Sequence, residues 1–168
     1  AHRALAQLEA AGHIRTVITQ NIDSLHQAAG SLNVLELHGH VRTFSCLGCG
    51  RTEPADGHLA AVCAGPLPPP CAACGGLLKP DVILYGEPLP FDTLSAAQQA
   101  ALACDFMLVV GTSLEVMPAA DLPLLARRRG ARLALINLTP TPLDAQMDVC
   151  IRTDVVTALA ALYRAVCE

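Results

Sequence analysis

The stretch VITQNIDSLHQAAG (residues 17–30) opens as a buried strand and turns polar within three residues. Val17 and Ile18 are β-branched and suit a pleated surface. Thr19-Gln20-Asn21-Ile22-Asp23 suits neither a strand interior nor a helix. In parallel α/β sheets, ligands bind outside the carboxyl ends of the strands. A run of Gln, Asn and Asp where a strand gives out is therefore a candidate binding edge.

Two other apolar runs end the same way. The run 106–110 (FMLVV) ends in Gly111-Thr112-Ser113, and the run 133–136 ends in Asn137, followed by Thr139. Gly111 lets backbone approach a ligand closely. The hydroxyls can bond phosphate or ribose, and Asn137 stands where a nucleotide ribose is commonly held. His38 closes the run VLEL, precedes Gly39, and is expected to project from the same edge. Taken singly, a helix start, a turn residue and a core histidine account for these features. Taken together they mark one rim of a sheet. His2, His13, His26, His40 and His58 are read as structural.

Outward from that rim, the chain alternates helices and strands. Ala4, Leu5, Leu8 and Ala11 recur at helical spacing, with Gly12 as a stop. Asp23 can cap a short helix ended by Gly30, and a second strand covers about 33–37. The segment KPDVILYGEPLP (79–90) resumes a strand pattern, Asp92 opens a helix to 104, and FMLVVG has the look of a central parallel strand. A helix over 118–129 has a weak point at Pro123. RLALIN and VCI follow as strands, and 155–166 as an amphipathic helix. This order predicts an α/β fold, a Rossmann-like, mostly parallel sheet flanked by helices. It occupies 1–42 and 79–168. The Cys-, Gly- and Pro-rich segment 43–78 reads as an inserted zinc-ribbon module, with GPLPPP (65–70) as a stiff connector.

The chain is 52% hydrophobic and 15% charged over 168 residues, enough to build a core. A net charge of −4 disfavours a nucleic-acid surface, and the one basic cluster, Arg127-Arg128-Arg129, reads as a solvated helix end. No span of roughly 18 apolar residues suggests a membrane helix, and the first residues lack a signal-peptide pattern. The cysteines fit a reduced, cytoplasmic setting. Four form two C-x-x-C pairs, and Cys104, Cys150 and Cys167 sit singly.

Cys46-x-x-Cys49 and Cys71-x-x-Cys74 are the strongest local signal. Each pair puts two thiolates on one tight turn, and two such turns supply the four soft ligands of tetrahedral zinc. With four sulfurs bound no position remains for water, so the zinc is expected to be structural. A redox dithiol or two disulfides are the alternatives. Cys63 is a fifth sulfur in the same segment and an alternative ligand.

The motifs TQNIDSLHQAAG, ELHGHV, the paired C-x-x-C ending in CGG, LKPDVILYGEPLP, GTSLEVMPA and INLTPTP stand in the order and spacing of sirtuins. The chain resembles that family, the NAD-dependent protein lysine deacylases, over essentially its whole length. The resemblance implies that His38 is a general base for a ribose hydroxyl, a task a neutral imidazole suits. It implies that Gln20, Asn21 and Ile22 hold the nicotinamide ribose side, Asn21 also acting in catalysis, and that Asp23 binds the carboxamide. Gly111, Thr112 and Ser113 would contact phosphate and ribose, Asn137 the adenosine ribose, and Val155 the adenine. Val82, Tyr85, Gly86 and Val116 would line the acyl-lysine site, with the peptide pairing as a strand between the 81–87 and 115–118 segments. The implied reaction gives nicotinamide, free lysine and O-acyl-ADP-ribose. The implied partner is an acyl-lysine protein or peptide; nucleic acid and membrane are not expected, and oligomeric state is open.

The pattern departs from the family in two ways. Sirtuins carry, ahead of this region, a strand, a Gly-Ala-Gly-type phosphate turn and a mobile loop with an Arg, none of which is among the 168 residues. The chain alone is therefore expected to bind NAD poorly and to turn over little. Tyr85 stands where Phe is common. Two other readings stay open: an NAD-dependent ADP-ribosyltransferase, and a truncated, non-catalytic, zinc-stabilised peptide-binding remnant.

Overall fold

The structure is a computed structural model that describes residues 1–58, 64–65 and 70–167. Cys63 and most of the expected Pro-rich connector lie outside those residues. Contacts divide the chain into two compact units. One comprises Ala1–Ile18, Leu25–Leu35 and Phe91–Glu168; the other comprises Thr19–Ser24 and Glu36–Pro90.

The first unit carries α1 (His2–Ala10), α2 (Leu25–Ala28), α3 (Phe91–Ala103), α4 (Leu122–Arg128) and α5 (Val155–Cys167). Its sheet is built from β6 (Phe106–Val110), β7 (Arg132–Ile136) and β8 (Val149–Ile151), all parallel, in the order β6-β7-β8. β7 is the middle strand, and Leu133, Leu135 and Ile136 are almost fully buried. On α3 and α4, Ala97, Ala101 and Ala126 have no exposed surface. Val109, Leu114 and Leu135 form a cluster flanked by Met107, Leu143 and Met147. The stretch FMLVVG, expected to be central, is an edge strand among the described residues. It pairs only with β7, and Phe106 is half exposed. An apolar run reports burial of a strand's faces, and does not count its neighbours. Pro123 lies in the first turn of α4, where its missing N–H has no intrahelical partner to lose.

The second unit is antiparallel. β3 (Gly39–Cys46) lies between β4 (Thr52–Pro54) and β5 (Leu78–Val82). The strand expected to rejoin the parallel sheet, β5, thus pairs with β3 instead. Pro80 is tolerated there because β5 is an edge strand. The 43–78 segment falls inside this unit, which extends past it at both ends. Among the described residues, Phe44, Cys46, Ala55, Cys71 and Leu78 form a core cluster there, and Leu37 is also buried. β1 (Val17–Thr19) and β2 (Val34–Glu36) form a short pair at which the chain passes from one unit to the other.

Asp148 ties the start of β7 to the turn before β8. Its carboxylate accepts from the Leu133 N–H (2.8 Å) and faces Arg127 and Arg132. The Leu133 N–H first, then the two arginines, hold this carboxyl below its usual range. A depressed folded-state value means that the charge stabilises the fold above the ordinary aspartate pKa of about 3.9, and that the contribution is lost as pH falls through the lower folded value. Asp148→Asn is therefore expected to lower the melting temperature at pH 7, and thermal melts on acidification should bring variant and parent together.

Candidate active site

The polar stretch after β1 is fastened along the turn that carries His38. The Thr19 carbonyl accepts from the Leu37 N–H (2.9 Å), and the Ile22 carbonyl accepts from the Val41 N–H (3.3 Å). The Thr19 hydroxyl accepts from the Asn21 N–H (3.1 Å). Between these ties, His38 Nδ1 lies 3.0 Å from the Gln20 carbonyl oxygen. A carbonyl can only accept, so Nδ1 carries the proton and Nε2 keeps its lone pair. His38 is half-buried and belongs to the turn between β2 and β3, two residues beyond the strand it was expected to close. Gln20, Asn21, Ile22, Asp23 and His38 are thus brought together. Asn21 and Asp23 are exposed, Gln20 and Ile22 half-buried.

Gly39, next to His38, has φ +71°, and a Cβ there would lie 2.0 Å from the Asp81 carbonyl oxygen. Only glycine allows β3 and β5 to approach this closely, at the pair Gly39 and Val82. One residue on, the Ile83 N–H donates to the His38 carbonyl (2.9 Å). Val82 is consequently beside the His38 turn, while Tyr85 and Gly86 continue into an exposed loop in which Tyr85 is wholly in solvent. Glu87 closes that loop: it accepts from the Leu84 N–H (2.9 Å) and pairs with Lys79 (2.9 Å), which also donates to the Val82 carbonyl (2.8 Å). The Leu84 N–H first, then Lys79, keep the Glu87 carboxyl low. On the other flank Arg42 grips Glu36 with two hydrogen bonds (2.7 and 2.6 Å) and also bonds Ser24, a non-glycine residue at φ +59°.

The remaining candidates lie in the first unit, at the carboxyl ends of its strands. Gly111 (φ +58°) follows β6, and its N–H reaches the Ile136 carbonyl (2.9 Å). Thr112 accepts from the Leu114 N–H (3.2 Å), which shapes the turn through Ser113. Asn137 follows β7 and is buried; its N–H bonds the Ile151 carbonyl (3.1 Å). Val155 opens α5, and one of its methyls is 3.7 Å from where a Gly111 Cβ would be. Asp154 caps that helix through the Thr157 N–H (2.9 Å). Gly111, Asn137 and Val155 therefore share one edge, and Val116 is half exposed beyond the Gly111 turn. Arg42, Glu36, Ser24, Lys79 and Glu87 escaped the sequence reading. Paired charges far apart in sequence follow no local period that would reveal them.

The four cysteines converge. Their sulfurs all lie within 4.8 Å of one another, Cys46 to Cys74 at 3.5 Å and Cys49 to Cys71 at 3.8 Å. A tetrahedral zinc with bonds of about 2.3 Å sets its sulfurs roughly 3.8 Å apart. The Gly48 and Gly76 N–H groups point at Cys46 (3.3 Å) and Cys74 (3.4 Å), as donors to thiolates. A Cβ on Gly76 would lie 3.0 Å from the Cys46 sulfur. Without a cation the four cannot ionise together. Cys46 is lowered to about 6, chiefly by the Cys49 backbone. Cys74, despite the Gly76 N–H, is pushed up to about 12 by the neighbouring sulfurs. The cluster fits a closed structural zinc site. All four cysteines are free of disulfides.

The Sir2 family model matches residues 1–118. The chain belongs to the Sir2 family. It is 46% identical over 150 residues to NAD-dependent protein deacetylase 1 of Geobacillus kaustophilus, covering 89% of this chain and 59% of that protein. It is 46% identical over 166 residues to NAD-dependent protein deacetylase 2 of Streptomyces coelicolor, covering 98% of this chain and 69% of that protein. A solved Sir2 structure with p53 peptide and NAD+ superposes with a TM-score of 0.92 at 38% identity, over 98% of this chain and 68% of that one. Another, Sir2Tm bound to a propionylated peptide, gives 0.92 at 38% identity, over 98% of this chain and 69% of that one. This Sir2-family chain thus spans about three fifths of the Geobacillus relative. No helix among its described residues is long and apolar enough to cross a membrane.

Two outcomes follow from the geometry. Purified chain should hold close to one zinc, and chelation should collapse the dispersed NMR signals of Phe44 and Leu78; a metal-free chain that keeps them would contradict a structural metal. Gly39→Ala should destabilise the protein by at least about 2 kcal/mol in urea unfolding, because the added methyl meets backbone that cannot rotate away.

Proposed function

We propose that this chain carries the base, the nicotinamide side and the adenosine side of an NAD-dependent lysine deacylase. The observation that carries the reading is the 3.0 Å contact of His38 Nδ1 with the Gln20 carbonyl. It fixes the imidazole with Nε2 as a proton acceptor, beside Gln20, Asn21 and Asp23. An acyl-lysine site with an adjacent base supports deacylation, and the relatives named above are deacetylases.

Bound NAD would supply a ribose carbon from which nicotinamide can leave. The chain's own residues do the rest. Asp23 accepts from the carboxamide, Gln20 and Asn21 orient the ribose hydroxyls, and Ile22 packs against the sugar. His38 Nε2, whose lone pair is free, would accept the proton of a ribose hydroxyl of bound NAD. Gly111, Thr112 and Ser113 hold phosphate and ribose, Asn137 the second ribose, and Val155 the adenine. Val82, Tyr85 and Gly86 of the second unit, and Val116 of the first, are the residues that would contact the acyl-lysine peptide. The zinc module is 43–78, and the nucleotide-binding domain is drawn from 1–42 and 79–168. Reduced cysteines suit a cytoplasmic protein.

The test is nicotinamide release by the full chain at high NAD, with and without an acetyl-lysine peptide. Slow release that needs the peptide, yields free lysine, and falls at least about a hundredfold in His38→Ala supports the proposal. Release that labels protein with ADP-ribose instead would make the chain a transferase. Failure to bind NAD or peptide would leave a non-catalytic module.

A further inference from the structure

We infer that Arg152 is a positioning residue for the nucleotide: it locks the loop after β7 so that Asn137 offers its amide oxygen, and not its amide nitrogen, to a ribose hydroxyl. The inference rests on the reading of the Gly111–Asn137–Val155 edge as a nucleotide site.

The orientation of Asn137 is set within the loop. Its Nδ2 donates to the Thr139 carbonyl (2.8 Å) and to the Thr139 hydroxyl (3.3 Å). The nitrogen side of the amide is thereby turned toward Thr139. Oδ1 accepts no hydrogen bond among the described residues and is left as the group for a ligand. A ribose hydroxyl can donate to it; a group with no proton to give cannot.

Thr139 is held from its other side by a cation. Arg152, just after β8, donates through Nη1 to the carbonyls of Asn137 (3.3 Å) and Thr139 (3.0 Å), and through Nη2 to Asp144. Asp144 accepts in turn from the Thr141 N–H (3.0 Å) and hydroxyl (2.7 Å). Arg152 first, then Thr141, hold the Asp144 carboxyl below its usual range, so the pair is charged at neutral pH. Arg152 thus closes the loop at both ends, with its side chain two-thirds shielded from water. Without the guanidinium, two converging carbonyl dipoles and a carboxylate face one another unbalanced. Thr139 is then free to withdraw, and the Asn137 amide can rotate to show a donor in place of an acceptor.

The experiment is a titration of the full chain with ADP-ribose, followed by the amide signals of Asn137, Leu138, Thr139 and Thr141. Arg152→Met and Asn137→Ala should each weaken binding about tenfold, the scale of a charge-assisted tie or of one lost ligand bond. The double variant should be no weaker than the worse single, because Arg152 acts through Asn137. Arg152→Lys should recover part of the loss. If Arg152→Met does not fold, Asp144→Asn tests the same tie from its other end and should weaken binding several-fold. Binding in Arg152→Met or Asp144→Asn within twofold of the parent, while Asn137→Ala loses tenfold, overturns the role of Arg152 alone. Additive losses in the double variant overturn it too. A parent chain that shows no response to ADP-ribose at 137–141 overturns the nucleotide reading of this edge, and the inference with it.

Discussion

Gly39 has no Cβ, and the backbone of Asp81 occupies the place where one would be. That close approach lets β3 and β5 run together at Gly39 and Val82, and it brings the Ile83 N–H onto the His38 carbonyl. With its backbone held there, the imidazole of His38 reaches back to Gln20, and one contact settles which ring nitrogen is basic. His38, the polar stretch beside it and Val82 are therefore placed by one missing methyl group. A tautomer is being selected by main-chain atoms, which is a firmer arrangement than selection by another mobile side chain.

The metal cluster has a different task. Among the described residues, the core cluster beside the metal knuckles is Phe44, Leu78, Ala55 and two of the cysteines themselves. Zinc binding adds folding free energy to that packing. Because Cys46 ends β3 and Leu78 opens β5, the metal fixes one end of the same strand pair whose other end is fixed by Gly39. The register that presents His38 is thereby pinned at both limits.

Periodic and compositional features were legible. The apolar runs of β6, β7 and β8, the short helix after Asp23, and the two C-x-x-C turns could each be read from residues within a few positions of one another. The polar ends of three strands were legible too, as types of residue without partners. Strand order was not. Nothing in KPDVILYGEPLP says that it belongs with β3, because that depends on a partner tens of residues away. The same holds for Arg42 with Glu36 and Ser24, and for Lys79 with Glu87. The motif likeness supplied roles for His38 and Asn137; it did not supply the hydrogen bonds that orient them.

The second unit is assembled from two stretches, Thr19–Ser24 and Glu36–Pro90, with part of the first unit's chain threaded between them. A contiguous piece excised from Glu36 onward would keep the metal knuckles and His38 yet leave Gln20 behind, and with it the oxygen that dictates the imidazole's proton. Chimeras or minimal versions of this fold must consequently carry both stretches as one inheritance, since an exchange at the obvious cysteine-rich borders would swap scaffold without swapping the carbonyl that orients the His38 ring.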